Sequence, residues 1–73
     1  MPKLPVVSGK ECLRAFTRLG FKEVRQRSSH VVMQRGELGC VVPMHAEIKT
    51  GTLAGILRQA GISADAFIMA LEK

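Results

Sequence analysis

The segment from Ser8 to Phe21 spells out a complete helix with both ends, and this constrains how the rest of a short chain can be arranged around it. Ser8-Gly9-Lys10-Glu11 has the capping-box pattern. The Ser8 hydroxyl can accept from the Glu11 amide while the Glu11 carboxylate reaches back to the Ser8 amide. Cys12, Leu13, Phe16 and Leu19 follow close to the i, i+3, i+4, i+7 spacing of one buried face. Lys10, Arg14 and Arg18 form a basic stripe that points elsewhere. Gly20 supplies the left-handed residue after the last turn, and Phe21 folds back onto it. The 73 residues are expected to form one domain, 1–73. A domain this small buries only about 60% of the surface its unfolded chain exposes. A functional site is therefore expected on a groove or sheet face, not in a deep cavity.

Beyond Phe21 the pattern changes. Three short strands are expected, at about Lys22–Arg27, His30–Arg35 and Cys40–Pro43, with Gly36-Glu37-Leu38-Gly39 as a hairpin loop between the last two. In the second strand His30, Val32 and Gln34 share one face, and Val31, Met33 and Arg35 the other. A second helix is expected from about Thr50 to Ala60, with Leu53, Ile56, Leu57 and Ala60 inward and Gly61 closing it. Ser63 then caps a third, from Ala64 to about Glu72, with Phe67, Ile68 and Leu71 inward. The order α-β-β-β-α-α describes an α+β fold, an antiparallel meander with helices packed on one face. Cys12 and Cys40 fall on apolar positions and read as core thiols, since no Cys-x-x-Cys or Cys/His cluster accompanies them. Met33, Met44 and Met69 read as core filler.

Eleven Lys and Arg face six acids, a formal net charge of +5 on so short a chain, which favours an anionic partner. No apolar run approaches the ~20 residues that span a bilayer. The first residues lack the apolar core of a signal peptide. The expectation is a cytoplasmic protein with no membrane partner. There is no Trp or Tyr and there are three Phe, so stacking of bases on aromatic rings has little support. Recognition through backbone and shape is the better expectation for a nucleic-acid partner.

The residue that stands out chemically is His30, in Arg25-Gln26-Arg27-Ser28-Ser29-His30-Val31-Val32. RNA can be cut without a metal. A base takes the 2′-hydroxyl proton, the oxygen attacks the adjacent phosphate, an acid protonates the leaving 5′-oxygen, and cations stabilise the crowded charge. One imidazole can carry either proton transfer near neutral pH. Arg25, Arg27 and Arg35 would supply cations, and Ser28 and Ser29 hydrogen-bond donors. A lone strand histidine is more often a surface residue or one that holds a loop, so it is the cationic surroundings that bring His30 forward. His45, in Pro43-Met44-His45-Ala46-Glu47, would be the complementary acid or base if the fold brings it near His30, but it reads rather as a residue that organises its turn, because no cation or nucleophile sits beside it in sequence. Lys49 and the amides at the start of the second helix offer a further phosphate contact.

Taken in order, these motifs resemble the HicA-type (YcfA-like) mRNA interferase toxins of toxin–antitoxin systems. The resemblance covers nearly every segment. Ser8-Gly9-Lys10-Glu11 and Leu19-Gly20-Phe21 bound the first helix, and Val24 to Val31 covers the family's Gly-Ser-His strand motif. Val42-Pro43-Met44-His45 matches its Val-Pro-x-His segment, and Gly51-Thr52-Leu53 through Ile62-Ser63 its most recognisable stretch. The resemblance implies a small double-stranded-RNA-binding-like domain, with a three-stranded antiparallel sheet packed against helices. It implies ribosome-independent endoribonuclease activity on mRNA without a cofactor, His30 as the catalytic residue, and a cognate HicB-type antitoxin as partner. The family's motif glycine is Ser28 here, which would strain the site if that position needs φ > 0. Two other readings stand beside the nuclease: an RNA-binding module with a degenerate active site, and a domain whose basic face only docks an acidic antitoxin surface.

Overall fold

The capping box forms as the sequence spells it. The Glu11 amide donates to Ser8 Oγ at 3.1 Å, and the Ser8 amide donates to Glu11 Oε1 at 3.0 Å. These bonds, the one from the Ser8 backbone first, hold the Glu11 carboxyl below the usual carboxylate range. The computed structural model describes residues 3–72. Its elements are α1 (Gly9–Arg18), β1 (Lys22–Arg27), β2 (His30–Arg35), β3 (Leu38–Pro43), α2 (Thr50–Ala60) and α3 (Ala64–Leu71), the α+β order expected from the sequence. Gly20, at φ 95°, ends α1, and the Phe21 amide returns to the Phe16 carbonyl at 2.9 Å. The Phe16 ring then meets Phe21 edge-on, with centroids 5.1 Å apart, and Phe67 of α3 at 5.8 Å. The guanidinium of Arg18 donates to the Ala70 carbonyl at 2.7 Å, so one member of the basic stripe ties α1 to the end of α3.

The sheet is an antiparallel meander in the order β1-β2-β3. Val31 and Met33 of β2, with Val42 and Cys40 opposite them on β3, form the buried side. Three cross-strand rows make up the solvent side: Arg27–His30–Pro43, Arg25–Val32–Val41 and Lys22–Gln34–Gly39. β1 is exposed along its whole length, and its register shifts at a bulge between Glu23 and Arg25. α2 packs against β3. Among the described residues no single helix is long and apolar enough to cross a membrane.

Three expectations need correction. β3 starts at Leu38, not Cys40, and the hairpin loop shrinks to Gly36-Glu37, with Arg35 paired to Leu38. A two-residue loop led by a glycine at φ 60° continues both strands, so Gly39 is a strand residue opposite Gln34 and not part of the turn. α3 turns Phe67 and Ala70 inward, and leaves Ile68 and Leu71 half-buried. Met69 is 64% exposed, since it lies two residues from Phe67 and so on the far side of the helix. Met33 is buried and Met44 half-buried, as core filler would be. Cys12 and Cys40 are buried and free. Burial pushes their thiols up, to about 12 and about 11, so both stay protonated at neutral pH.

Candidate active site

Antiparallel pairing sets His30 between Arg27 and Pro43 at one end of the sheet. The chain beyond Pro43 is then pinned at three points. The Met44 amide donates to the Ser29 carbonyl at 2.6 Å, the Gly9 amide to the His45 carbonyl at 2.9 Å, and the Ile48 amide to the Val7 carbonyl at 2.7 Å. The second contact depends on Gly9 having no side chain, because a Cβ there would lie 2.7 Å from both Met44 Cα and the Pro43 carbonyl oxygen. The first turn of α1 therefore presses directly on the segment that carries His45.

The result is a pair of imidazoles. The rings of His30 and His45 lie edge-on with centroids 6.4 Å apart and an interplanar angle of 67°, and both residues are exposed. They share an open depression of about 360 Å³ with Glu47, Lys49 and Thr52. Lys49 is the N-cap of α2, and its side chain caps no amide. The first-turn amides of α2 thus keep their partial positive charge toward the depression. A gap of this size lets one small group come within hydrogen-bond reach of both rings. The arrangement provides two groups able to exchange protons, beside cations and uncapped amides.

His30, Arg27, Ser28, Ser29 and Lys49 gather at this end, with Arg25 one row along the same side of the sheet. Lys22 joins that side although the sequence reading did not single it out. Arg35 does not join the site. It lies at the far end of β2 on the opposite side, where its guanidinium donates to the Leu19 carbonyl at 2.7 Å and sits 5.0 Å over the Phe21 ring. Its charge closes the C-terminus of α1. His45 is the functional candidate that the sequence reading set aside.

Ser28 has φ 48°, the one positive φ of a non-glycine residue among those described. The left-handed conformation costs such a residue roughly 1–2 kcal/mol. A glycine would relieve this at about 0.4–1 kcal/mol of extra unfolded-state entropy. Ser28→Gly is expected to stabilise the fold by about 0.5–1 kcal/mol, read as a higher midpoint in urea. A lower midpoint would mean that the serine side chain supports the turn.

Fold and site together define a class: a small basic α+β protein with a pair of histidines on an open face. The chain belongs to the HicA toxin family of bacterial toxin–antitoxin systems; residues 9–62 match the family's profile, from the first residue of α1 to just past α2, both histidines included. Membership gives the chain a toxin role and implies a cognate antitoxin as partner. No curated protein sequence gives a significant match.

Proposed function

We propose that this toxin acts in the cytoplasm as a metal-independent mRNA endoribonuclease, with His30 as a general acid–base, and that a HicB-type antitoxin masks it. The observation that carries this reading is the His30–His45 pair at 6.4 Å. One imidazole, in its neutral form, takes the proton from the 2′-hydroxyl next to the scissile phosphate. The freed oxygen attacks phosphorus. The other imidazole, in its cationic form, protonates the departing 5′-oxygen. Lys49 and Arg27 balance the negative charge that builds on phosphorus, and Arg25 holds the neighbouring backbone. Ser28 and Ser29, at the tip of the β1–β2 turn, offer hydrogen bonds to the same strand.

The mechanism fixes the products as a 2′,3′-cyclic phosphate and a 5′-hydroxyl. An oligoribonucleotide with a single 2′-deoxy residue at the cut site is expected to resist cleavage in EDTA, while its all-ribose counterpart is cut. Products ending in 5′-phosphate and 3′-hydroxyl would exclude the 2′-hydroxyl as nucleophile. The strained Ser28 at the family's glycine position favours the second reading, a binding module without catalysis. RNA binding with no cleavage by the folded protein would select it.

A further inference from the structure

A groove leads away from the histidine pair. It runs between α2 and the solvent side of β3, and the lining of its nearer part, about 530 Å³, includes His30, Val41, Thr52, Gly55, Arg58 and Gln59. A second depression adjoins it through Val41 and Gln59 and extends to Val32 and Gln34. The floor is apolar: Val41 is 43% exposed and Val32 half-buried. Thr52, Gly55 and Gln59 recur at i, i+3 and i+7, so one stripe of α2 forms the far wall.

Two features of this wall are not explained by the packing of the chain itself. Gly55 sits in the middle of α2, where glycine costs about 1 kcal/mol relative to alanine. A Cβ at Gly55 would meet nothing within 4 Å, so no neighbour requires its small size. The Gln59 side chain is exposed and has no hydrogen-bond partner among the described residues. An open backbone and an unpaired amide, side by side on one wall above an apolar floor, suit a flat ligand with a hydrogen-bonding edge.

We propose that this groove is a nucleobase subsite, taking the unpaired base of a nucleotide next to the phosphate held at the histidine pair. The proposal rests on the ribonuclease reading above. The rows of the sheet give the strand its orientation. Arg25 and Arg27 stand on β1, Val32 and Val41 follow across the sheet, and Gln59 closes the far side. The sugar–phosphate chain follows the cations of β1, and the base lies flat across the valines with its edge toward Gln59. Apolar side chains can take the face of an unstacked base where aromatic rings are absent. The Gln59 amide sets an NH2 donor group beside a carbonyl acceptor, the pattern that distinguishes one base edge from another. Gln59 is thus a specificity residue, and Gly55 keeps the backbone within reach of the ring.

The test maps every cut in a mixed-sequence single-stranded RNA for the wild type, Gln59→Ala and Gly55→Leu. The wild type is expected to prefer one base at a fixed position next to the cut, and Gln59→Ala to reduce that preference about ten-fold or more while cleavage continues. Gly55→Leu is expected to melt at or above the wild-type temperature, because leucine is the better helix former, and yet to lose the preference. A companion measurement uses His30→Ala with and without Gln59→Ala, comparing affinities for oligonucleotides that differ only in base. Active variants whose cut sites match those of the wild type would overturn the subsite and leave the nuclease standing. Absent cleavage, with base-dependent binding that Gln59→Ala abolishes, would overturn the nuclease and leave the subsite standing. Unchanged cut sites together with lost antitoxin binding in Gly55→Leu would assign the groove to the protein partner and overturn the proposal.

Discussion

Alanine in place of His30 is expected to lower the RNA cleavage rate by about 10²–10⁴-fold, the range that positioned proton transfer contributes. His30 is exposed at the start of β2, so the thermal midpoint of the variant should stay close to that of the wild type. His45→Ala is expected to fall in the same range. The two losses should not multiply. Once one proton-transfer group is gone, removing the other takes away much less, because paired catalytic groups act as a unit. Steady cleavage rates across wild type, both single variants and the double variant, each purified in parallel, measure this directly. A His45→Ala protein with the full rate would remove His45 from the chemistry and leave His30 alone.

Gly9→Ala is expected to damage both the fold and the activity, although residue 9 lies on a different element from either histidine. The new methyl would lie 2.7 Å from Met44 Cα and from the Pro43 carbonyl oxygen, and neither backbone atom can swing aside. Overpacking of this kind costs about 1–3 kcal/mol, a large share of the stability of so small a domain. The relaxation also has a direction. Pushing the Pro43–His45 segment off α1 breaks the bond from the Gly9 amide to the His45 carbonyl and widens the gap between the rings. The cleavage rate per folded molecule should fall together with the urea midpoint. A lower midpoint with an unchanged rate per folded molecule would mean that Gly9 packs the protein without positioning His45.

The helices were legible because their ends are specified by local chemistry. Ser8 with Glu11, Ser63 with its helix, and the glycines after α1 and α2 act within a few residues of themselves. The start of β3 was not, because Gly39 looks like a turn residue until Gln34 is known to lie opposite it. Arg35 was grouped with His30 for its closeness along the chain, although the alternation of the strand already set it on the opposite face. It is five residues from His30, an odd number, and so faces the other way. Lys22 and Gln59 were invisible for a different reason: a register shift brings Lys22 to the side of the sheet that carries His30, and a helix packed beside β3 brings Gln59 to the groove. His45 needed the longest inference. Its neighbours in sequence bring it no chemistry, and the contact that positions it is made by a glycine 36 positions upstream.

The bulge in β1 has an electrostatic consequence. With strict alternation from Arg27, the strand would send Arg25 and then Glu23 to the side that carries His30, placing an acid among the cations. The unpaired Val24 shifts the strand's phase by one residue, so Lys22 comes out beside Gln34 and Glu23 turns to the other side, opposite Met33. An edge strand of mixed charge thereby presents bases alone on the side facing solvent. One residue that pairs with nothing sorts the charges of the strand by sign.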